Sequence, residues 1–255
     1  MASASDAPAG VVTVIGLGGI PELDETDDLG LLLYEAALRA GGLEAGDVVV
    51  VAQKAVSKVE GRVVRLDEIE PSERARELAG AEGDPRHVEV ILRESREIVR
   101  SRPPLVIAET RHGFVCASAG VDASNAPEAG MLVLLPLDPD ASARRVRDRL
   151  VGLASVEVGV VVSDSFGRAW RQGTTDVALG VAGLAPLRDL RGALDAGGRE
   201  LQSTQIAVAD EIAGAAELVM GKARRVPAAL VRGVEARGEG TAAELVMPRE
   251  RDLFR

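Results

Sequence analysis

Aromatic residues are scarce in this chain of 255 residues, since only 2% are Phe, Trp or Tyr. Proteins that bind single-stranded nucleic acids stack bases on aromatic rings, so the scarcity argues against that function. The formal net charge of −10 argues against DNA or RNA as a general partner, because such binding depends on Lys and Arg neutralising phosphates. No apolar run approaches the ~18 residues of a membrane span. We expect neither nucleic acid nor membrane as a partner.

Cysteine and histidine are also rare: Cys116, His87 and His112 are the only ones. A single cysteine excludes an internal disulfide and a thiolate metal cluster. Two histidines give little support to zinc chemistry or to a Ser-His-Asp triad, and we interpret both as surface residues without catalytic duty. Residues 1–10 lack the charged and apolar regions of a secretory signal. They are expected to form a disordered tail, and the predicted location is cytoplasmic.

Strand-like and helix-like segments alternate along the chain without a fixed repeat. The apolar runs 48–52 and 158–162 predict buried strands. Asp84 and Pro85 are a typical helix N-cap and first-turn residue. Apolar residues at helical spacing then predict that this helix continues through Val99.

This order of segments favours a mixed α+β fold over a regular βαβ alternation. One domain is expected over residues 11–245, followed by a C-terminal tail over 246–255. The segment 136–140, which contains Asp-Pro-Asp, is the best candidate for a soft boundary inside the domain.

The glycine-rich segment 16–19 follows the first predicted strand but is not a dinucleotide fingerprint. Pro21 follows it, no third glycine opens a helix, and no acidic residue follows a second strand. The lysine-bearing phosphate loop is absent as well. A nucleoside triphosphate would therefore be held without a common fingerprint.

Two other segments end an apolar run on an aspartate flanked by small and hydroxyl-bearing residues. They are 119–125, which contains Asp122, and 161–171, which contains Asp164. Hard divalent cations take oxygen ligands from one or two carboxylates and complete their shell with water and phosphate oxygens. The pattern predicts a metal–nucleotide site. Each aspartate alone also fits a turn at a strand end, because Asp readily caps its own backbone.

Five ordered motifs resemble those of the coenzyme F420-0:L-glutamate ligases, or gamma-glutamyl ligases. They are AQKAVSKVEGR (52–62), PSERA (71–75), AGVDASN (119–125), SDSFGR (163–168) and ADEIA (209–213), and the resemblance runs from about Val14 to Gly233. It implies an unusual α+β, mixed-sheet, two-lobed fold that forms a homodimer. It also implies a need for GTP and for Mg²⁺ or Mn²⁺, with K⁺ as a further candidate ion.

The resemblance implies a specific reaction. The γ-phosphoryl group of GTP is transferred to the carboxylate of coenzyme F420-0, and the amino group of L-glutamate then displaces phosphate. A second addition uses the γ-carboxylate of the first glutamate. Phosphoryl transfer asks the protein mainly for positioning and charge stabilisation, so the lack of a credible triad is expected.

The same matching implies site residues. Asp122 and Asp164 are expected as metal ligands, with Ser165 adding a hydroxyl, and Asp122, Asp164 and Lys58 as catalytic residues. The expected nucleotide contacts are Ile20, Pro21, Glu22, Leu23, Gln53, Lys58, Asn125, Met220, Gly221, Lys222, Ala223, Arg224, Arg225 and Val226. Arg168 and Arg171 are our own candidates for gripping an anionic substrate, because arginine offers bidentate hydrogen bonds.

The chain departs from the family pattern at Lys222, where some members carry an acidic residue that helps hold a second metal. A second protein-bound metal is therefore in doubt. Some relatives continue into a flavin-binding nitroreductase-like domain, so we expect a stand-alone ligase or an excised piece. Three alternatives stay open: a ligase for another carboxylate acceptor, a non-catalytic GTP-binding regulator, and a structural oligomer.

Overall fold

A computed structural model describes residues 10–254, so residues 1–9 of the predicted tail lie outside the described part. The strands are β1 (Thr13–Gly16), β2 (Val48–Ala52), β3 (Val63–Arg65), β4 (Ser95–Arg102), β5 (Leu105–Thr110), β6 (Val115–Ala117), β7 (Met131–Val133), β8 (Gly159–Arg168), β9 (Arg171–Ala182), β10 (Arg188–Asp189), β11 (Gln205–Ile206) and β12 (Ala228–Arg232). The helices are α1 (Leu29–Arg39), α2 (Gln53–Val59), α3 (Glu73–Ala79), α4 (Pro85–Glu94), α5 (Pro139–Ala154) and α6 (Val208–Met220).

The central sheet has five strands in the order β1-β12-β2-β8-β9. β2 and β8 are parallel, and the other three pairings are antiparallel. Because β12 runs against both β1 and β2, the strands β1, β2 and β8 all point the same way. Their carboxyl ends therefore lie at one edge of a mixed sheet, which confirms the predicted mixed α+β architecture.

Helices cover both faces of this sheet. Val160 and Val162 of β8 pack into a core with residues of α1 and α5, whereas Val161 packs into a second core with residues of α6. Successive side chains of a strand point to opposite faces, and a strand covered on both faces is apolar throughout. The predicted buried strands at 48–52 and 158–162 have this form.

The start of α5 falls within the predicted soft boundary at 136–140. The Asp138 carboxylate accepts a hydrogen bond of 2.8 Å from the Ala141 N–H, and Pro139 occupies the first turn. These are the residues that begin a helix efficiently. The segment is thus the first turn of a helix that packs on the central sheet, and the boundary itself stays a prediction.

The helix predicted from Asp84 through Val99 is wrong in its second half. α4 ends at Glu94, and β4 begins at the next residue and pairs antiparallel with β5. The pairing contains two register shifts, so apolar residues recur at a spacing that imitates a helix. Tertiary pairing here overrides the local pattern.

The remaining strands form three small sheets: β4-β5-β6, β3-β7 and β10-β11. Val90, Ile91, Val106 and Leu132 contribute to a core between α4 and these strands that is separate from the two cores on the central sheet. The two-lobed shape stays a prediction. Within residues 10–254, no helix is both long and apolar enough to cross a membrane.

Candidate functional site

A cavity of about 620 Å³ opens at the edge where β1, β2 and β8 end. Ligands in open α/β sheets bind characteristically outside the carboxyl ends of the strands. Fourteen of the residues expected from the sequence line this cavity: Ile20, Pro21, Glu22, Leu23, Gln53, Lys58, Asn125, Asp164, Ser165, Met220, Gly221, Lys222, Arg225 and Val226. Segments far apart in the sequence therefore meet at one place.

Five expected residues are not among those that line the cavity: Asp122, Ala223, Arg224, Arg168 and Arg171. Ala223 and Arg224 belong to the turn after α6, where the Arg224 guanidinium donates to the Leu218 carbonyl at 3.3 Å instead. Arg168 and Arg171 lie at the exposed end of the β8–β9 hairpin, because both strands extend beyond the sheet. Their role as substrate contacts stays a prediction.

The start of α2 presents polar side chains to the cavity. Gln53 is buried, and its Oε1 atom accepts a hydrogen bond of 2.8 Å from the Ser57 hydroxyl. Its Nε2 atom is buried without a hydrogen-bond partner in the part of the chain that the structure describes. A buried donor left unpaired is costly. The Gln53 Nε2 group can therefore donate a hydrogen bond to an acceptor in the cavity.

Lys58 lies one turn further along α2 and is only 8% exposed. Its ammonium group pairs with the carboxylate of Glu22, which is largely exposed at the cavity mouth. A buried cation beside a cavity favours an anionic ligand, since burial strengthens electrostatic attraction. Glu22 and an anionic ligand would compete for the same ammonium group.

Asp122 is tied to Lys54, the second residue of α2. The Lys54 Nζ atom donates to Asp122 Oδ2 at 2.5 Å and to the Ser124 carbonyl at 2.8 Å. The Ser124 hydroxyl donates to Asp122 Oδ2 at 2.7 Å. Burial alone would raise the pKa of Asp122, but the hydrogen bonds from Lys54 and Ser124 outweigh it and lower the pKa to about 2. Asp122 is thus an anion at neutral pH.

Asp164 has the opposite electrostatic environment. Its pKa is raised to about 7, mainly by burial and in smaller part by the nearby carboxylates of Asp176 and Asp122, against the lowering effect of the Ser165 N–H and the Lys54 charge. No ion pair is formed by Asp164 within residues 10–254. A buried carboxylate among like charges is stabilised by a cation, so this side chain suits a cation ligand.

Ser165 faces away from Asp164, because neighbouring residues of a strand alternate. Its hydroxyl donates to Asp176 Oδ1 at 2.7 Å, and the Ser163 hydroxyl donates to Asp176 Oδ2 at 2.9 Å. All three side chains border the cavity from the α6 side of the sheet. The structure therefore brings Ser165 to the cavity but not to the side of β8 from which Asp164 emerges.

Asn125 brings the segment that follows Asp122 against the turn after α6. Its Nδ2 atom donates to the Lys222 carbonyl at 3.4 Å, and its backbone has a φ of 56°. Asn adopts this left-handed conformation more readily than most residues. The contact makes one continuous wall from the Asp122 segment and the turn that carries Lys222.

The carboxylate oxygens at the cavity fit a hard cation whose other ligands are phosphate oxygens. Within residues 10–254, no three His, Cys, Asp or Glu side chains are grouped closely enough to hold a metal ion by themselves. Mg²⁺ is typically bound by one or two carboxylates together with water and phosphate oxygens. Asp122 and Asp164 supply such a pair, and the raised pKa of Asp164 marks a carboxylate without a compensating cation.

Sequence reasoning missed two side chains of this site, Lys54 and Asp176. Lys54 adjoins Gln53 in the first quoted motif, yet the sequence does not show whether Lys54 or Lys58 turns inward. Asp176 lies in β9 directly opposite Ser165. That pairing depends on the register of a hairpin, which no local sequence signal specifies.

The two histidines are more enclosed than expected. His87 Nε2 and His112 Nδ1 are buried atoms without hydrogen-bond partners in the described segment 10–254. His112 Nε2 lies 2.9 Å from the Pro136 carbonyl oxygen. Both residues are partly exposed, so they remain at the surface with one ring nitrogen enclosed, and neither lines the cavity.

Comparison with known proteins agrees with the motifs. The family model described as F420-0:Gamma-glutamyl ligase matches residues 18–233. The chain belongs to this family. Its predicted resemblance is confirmed, and so is the prediction that it is an enzyme of the ligase class.

Relatives cover nearly the whole chain. The coenzyme F420:L-glutamate ligase of Methanothermobacter thermautotrophicus is 45% identical over 96% of this chain and 99% of its own length. The enzyme of the same name from Methanopyrus kandleri is 48% identical over 90% and 92%. The one from Archaeoglobus fulgidus is 42% identical over 96% of both chains.

Proposed function

We propose that this chain is a GTP-dependent ligase that joins L-glutamate to coenzyme F420-0 through an acyl-phosphate intermediate. The first amide forms at the lactyl-type carboxylate of the acceptor, and a further glutamate is added through the γ-carboxylate of the first. Relatives named coenzyme F420:L-glutamate ligase, at 42–48% identity over most of the chain, support the substrates. The residues of the cavity support the nucleotide and the cation.

One observation carries the proposal: a buried carboxylate without an ionic partner borders the same cavity as two largely buried lysines, each of which is paired with a partly or largely exposed carboxylate. Asp164 has no ion pair within residues 10–254, whereas Lys54 and Lys58 of the adjacent helix α2 are paired with Asp122 and Glu22. A divalent cation with a triphosphate matches both needs. The cation would satisfy the carboxylates, and the phosphates would satisfy the lysines.

Asp122 and Asp164 would hold Mg²⁺ or Mn²⁺. When bound, the cation neutralises charge on the phosphate oxygens during transfer. Asp122 is already ionised, since its pKa is about 2. Ser165 would face the same ion and its phosphate shell from the other side of β8. K⁺ would be a further ion whose ligands the described residues do not identify.

The lysines and Gln53 would bind the nucleotide. Lys58 would exchange its Glu22 partner for a phosphate oxygen, and the unpaired Gln53 amide would donate to an acceptor on the nucleotide. Asn125 and the turn at 220–226 would form the opposite wall. These groups hold the triphosphate in place, and positioning with charge stabilisation is the protein's main contribution to phosphoryl transfer.

We also propose that the enzyme is a two-lobed homodimer, as the family resemblance implies. The Trp170 side chain at the tip of the β8–β9 hairpin is 85% exposed, and its ring lies 4.6 Å from that of Phe254. Tyr, Trp and Phe are enriched in interfaces between proteins. Light scattering after size exclusion is expected to give twice the chain mass of 26.6 kDa, and a monomer at micromolar concentration would contradict this part.

Mass spectrometry of the products tests the reaction directly. Purified protein with F420-0, L-glutamate, GTP and Mn²⁺ is expected to yield GDP and an acceptor heavier by one or more glutamate residues. Omitting F420-0 distinguishes the alternatives. GDP release without F420-0 but with another carboxylate would indicate a different acceptor.

Two further outcomes would contradict the proposal. Nucleotide binding without phosphate release in the complete mixture would indicate a regulator. The absence of any nucleotide-dependent thermal shift would indicate a structural oligomer.

A further inference from the structure

Asp176 is a buried carboxylate that the reaction outlined above leaves without a role. Its side chain is 6% exposed and borders the cavity. It lies on β9 opposite Ser165 of β8. Each of its two oxygens accepts one serine hydroxyl, from Ser165 at 2.7 Å and from Ser163 at 2.9 Å.

No cationic side chain pairs with Asp176 in the part of the chain that the structure describes. Buried charges in proteins are otherwise paired or take part in metal binding, because removing a charge from water is costly. Two hydroxyl groups compensate for part of that cost. A function at the cavity would explain why a carboxylate occupies this position in the sheet.

The serine hydroxyls show what that function would be. A hydroxyl has one hydrogen to donate and two lone pairs to accept or coordinate. With both hydrogens directed at Asp176, the lone pairs of Ser163 and Ser165 point elsewhere. Ser165 Oγ can then offer a lone pair to a cation or to a water bound to it, and it cannot turn its hydrogen toward that ligand.

We propose that Asp176 is a positioning residue for cation binding: it fixes the Ser165 hydroxyl so that its oxygen faces the cation of the bound nucleotide. This inference rests on the proposed function, because it presupposes a cation in the cavity. Asp176 acts through Ser165. Its negative charge lies on the α6 side of β8, whereas that of Asp164 lies on the other side.

Mn²⁺ titration in the presence of GDP, followed by electron paramagnetic resonance, tests this role. Outer partners of metal ligands typically contribute 10- to 100-fold to metal affinity. Asp176→Asn is expected to weaken Mn²⁺ binding by about 10-fold, because one serine hydroxyl loses its acceptor. Ser165→Ala is expected to have a similar effect.

The double variant decides whether Asp176 acts through Ser165. If it does, Asp176→Asn adds little in a chain that already carries Ser165→Ala, since residues that act as a unit are not additive. Multiplied effects in the double variant would show that the two residues act separately and would overturn the proposal. Unchanged Mn²⁺ affinity in Asp176→Asn would overturn it as well.

Asp210 of α6 provides a matched control, because it is a carboxylate that contacts the same strand. Its carboxylate accepts a hydrogen bond of 2.9 Å from the Ala178 N–H of β9, but it does not line the cavity. Asp210→Asn is expected to leave Mn²⁺ affinity unchanged whatever it does to the melting temperature. An equal loss of affinity in both variants would indicate a general effect on β9 and would contradict a positioning role.

The unmodified chain separates this inference from the proposed function. If it binds Mn²⁺ with GDP and Asp176→Asn binds equally well, the inference fails and the proposed function stands. If the unmodified chain binds no Mn²⁺ in the presence of GDP, the proposed cation site fails and the inference fails with it.

Discussion

Carboxylates are buried at both ends of the central sheet, but they differ in whether an ionic partner lies beside them. At the amino end of β2, Asp47 is 1% exposed and accepts hydrogen bonds of 2.8 Å from both Nε and Nη2 of Arg232. It also accepts one of 2.7 Å from the Glu44 N–H. At the carboxyl end, Asp164 and Asp176 form no ion pair within the described residues.

This difference separates a structural charge from a functional one. A bidentate arginine satisfies a buried carboxylate completely, so Asp47 needs nothing from outside the protein. The carboxylates at the other end are satisfied only in part, and they lie beside an open cavity. Natural proteins tolerate such a local cost mainly at functional sites. Four predictions test whether the two ends differ in this way.

The largest effect is expected for Asp164→Asn. The variant should lose ligase turnover by more than about 1,000-fold, because a charge that supports phosphoryl transfer is removed. It should fold normally, since no ion partner is left behind. Product mass spectrometry and a thermal melt check the two statements. Near-normal turnover would show that this carboxylate is not part of the site.

The reactivity of Cys116 in β6 measures how well the region beside Asp164 is shielded from solvent. Burial, with a contribution from the Asp164 charge, raises the pKa of the thiol from 9.0 to about 12. Only the thiolate is nucleophilic, so near pH 8 alkylation by iodoacetamide should be about 1,000-fold slower than in urea. Because the thiol stays protonated below pH 12, the rate in the folded chain should rise about tenfold per pH unit. Equal rates in folded and unfolded protein would show an open site.

Asp47→Asn should affect stability rather than chemistry. It leaves the Arg232 guanidinium without its main partner, and breaking a buried pair costs about 3–5 kcal/mol. Arg232 keeps Glu44 at 2.6 Å and is partly exposed, so we expect a loss of about 2–3 kcal/mol in the free energy of unfolding. Urea denaturation measures it. Turnover per folded molecule should stay unchanged, and a specific loss of turnover would break the contrast between the two ends.

The smallest effect is expected for Lys54→Met at the cavity. The partner Asp122 is half exposed, so solvent screens the pair and the loss of stability should be about 1 kcal/mol. Urea denaturation without added metal measures it. A loss as large as that of Asp47→Asn would show that Lys54 holds the fold together in the way that Arg232 does.

The sequence predicted the sheet better than it predicted the contacts across it. The β2 and β8 runs are apolar on both faces, which is a strong local signal, and Asp164 follows directly along β8. The strand β4 was mistaken for helix because two register shifts with β5 imitate helical spacing. Local periodicity alone cannot resolve such a case, since strand pairing is a non-local event.

The same limit applies to the site. The residues expected from the motifs come from separate segments, and the parallel pairing of β2 with β8 brings most of them to one edge. Asp176 could not be expected, because its approach to Ser165 depends on hairpin register. Arg168 and Arg171, the candidates for gripping an anionic substrate, lie at the exposed end of the hairpin, and that role stays a prediction. The cytoplasmic location stays a prediction.

Anomalous diffraction from a crystal grown with Mn²⁺ and a non-hydrolysable GTP analogue tests the central claim most directly. The account predicts a manganese peak between the carboxylates of Asp122 and Asp164, with phosphate oxygens completing its shell. A bound nucleotide with no manganese peak there, or with the two carboxylates directed into separate regions, would contradict it.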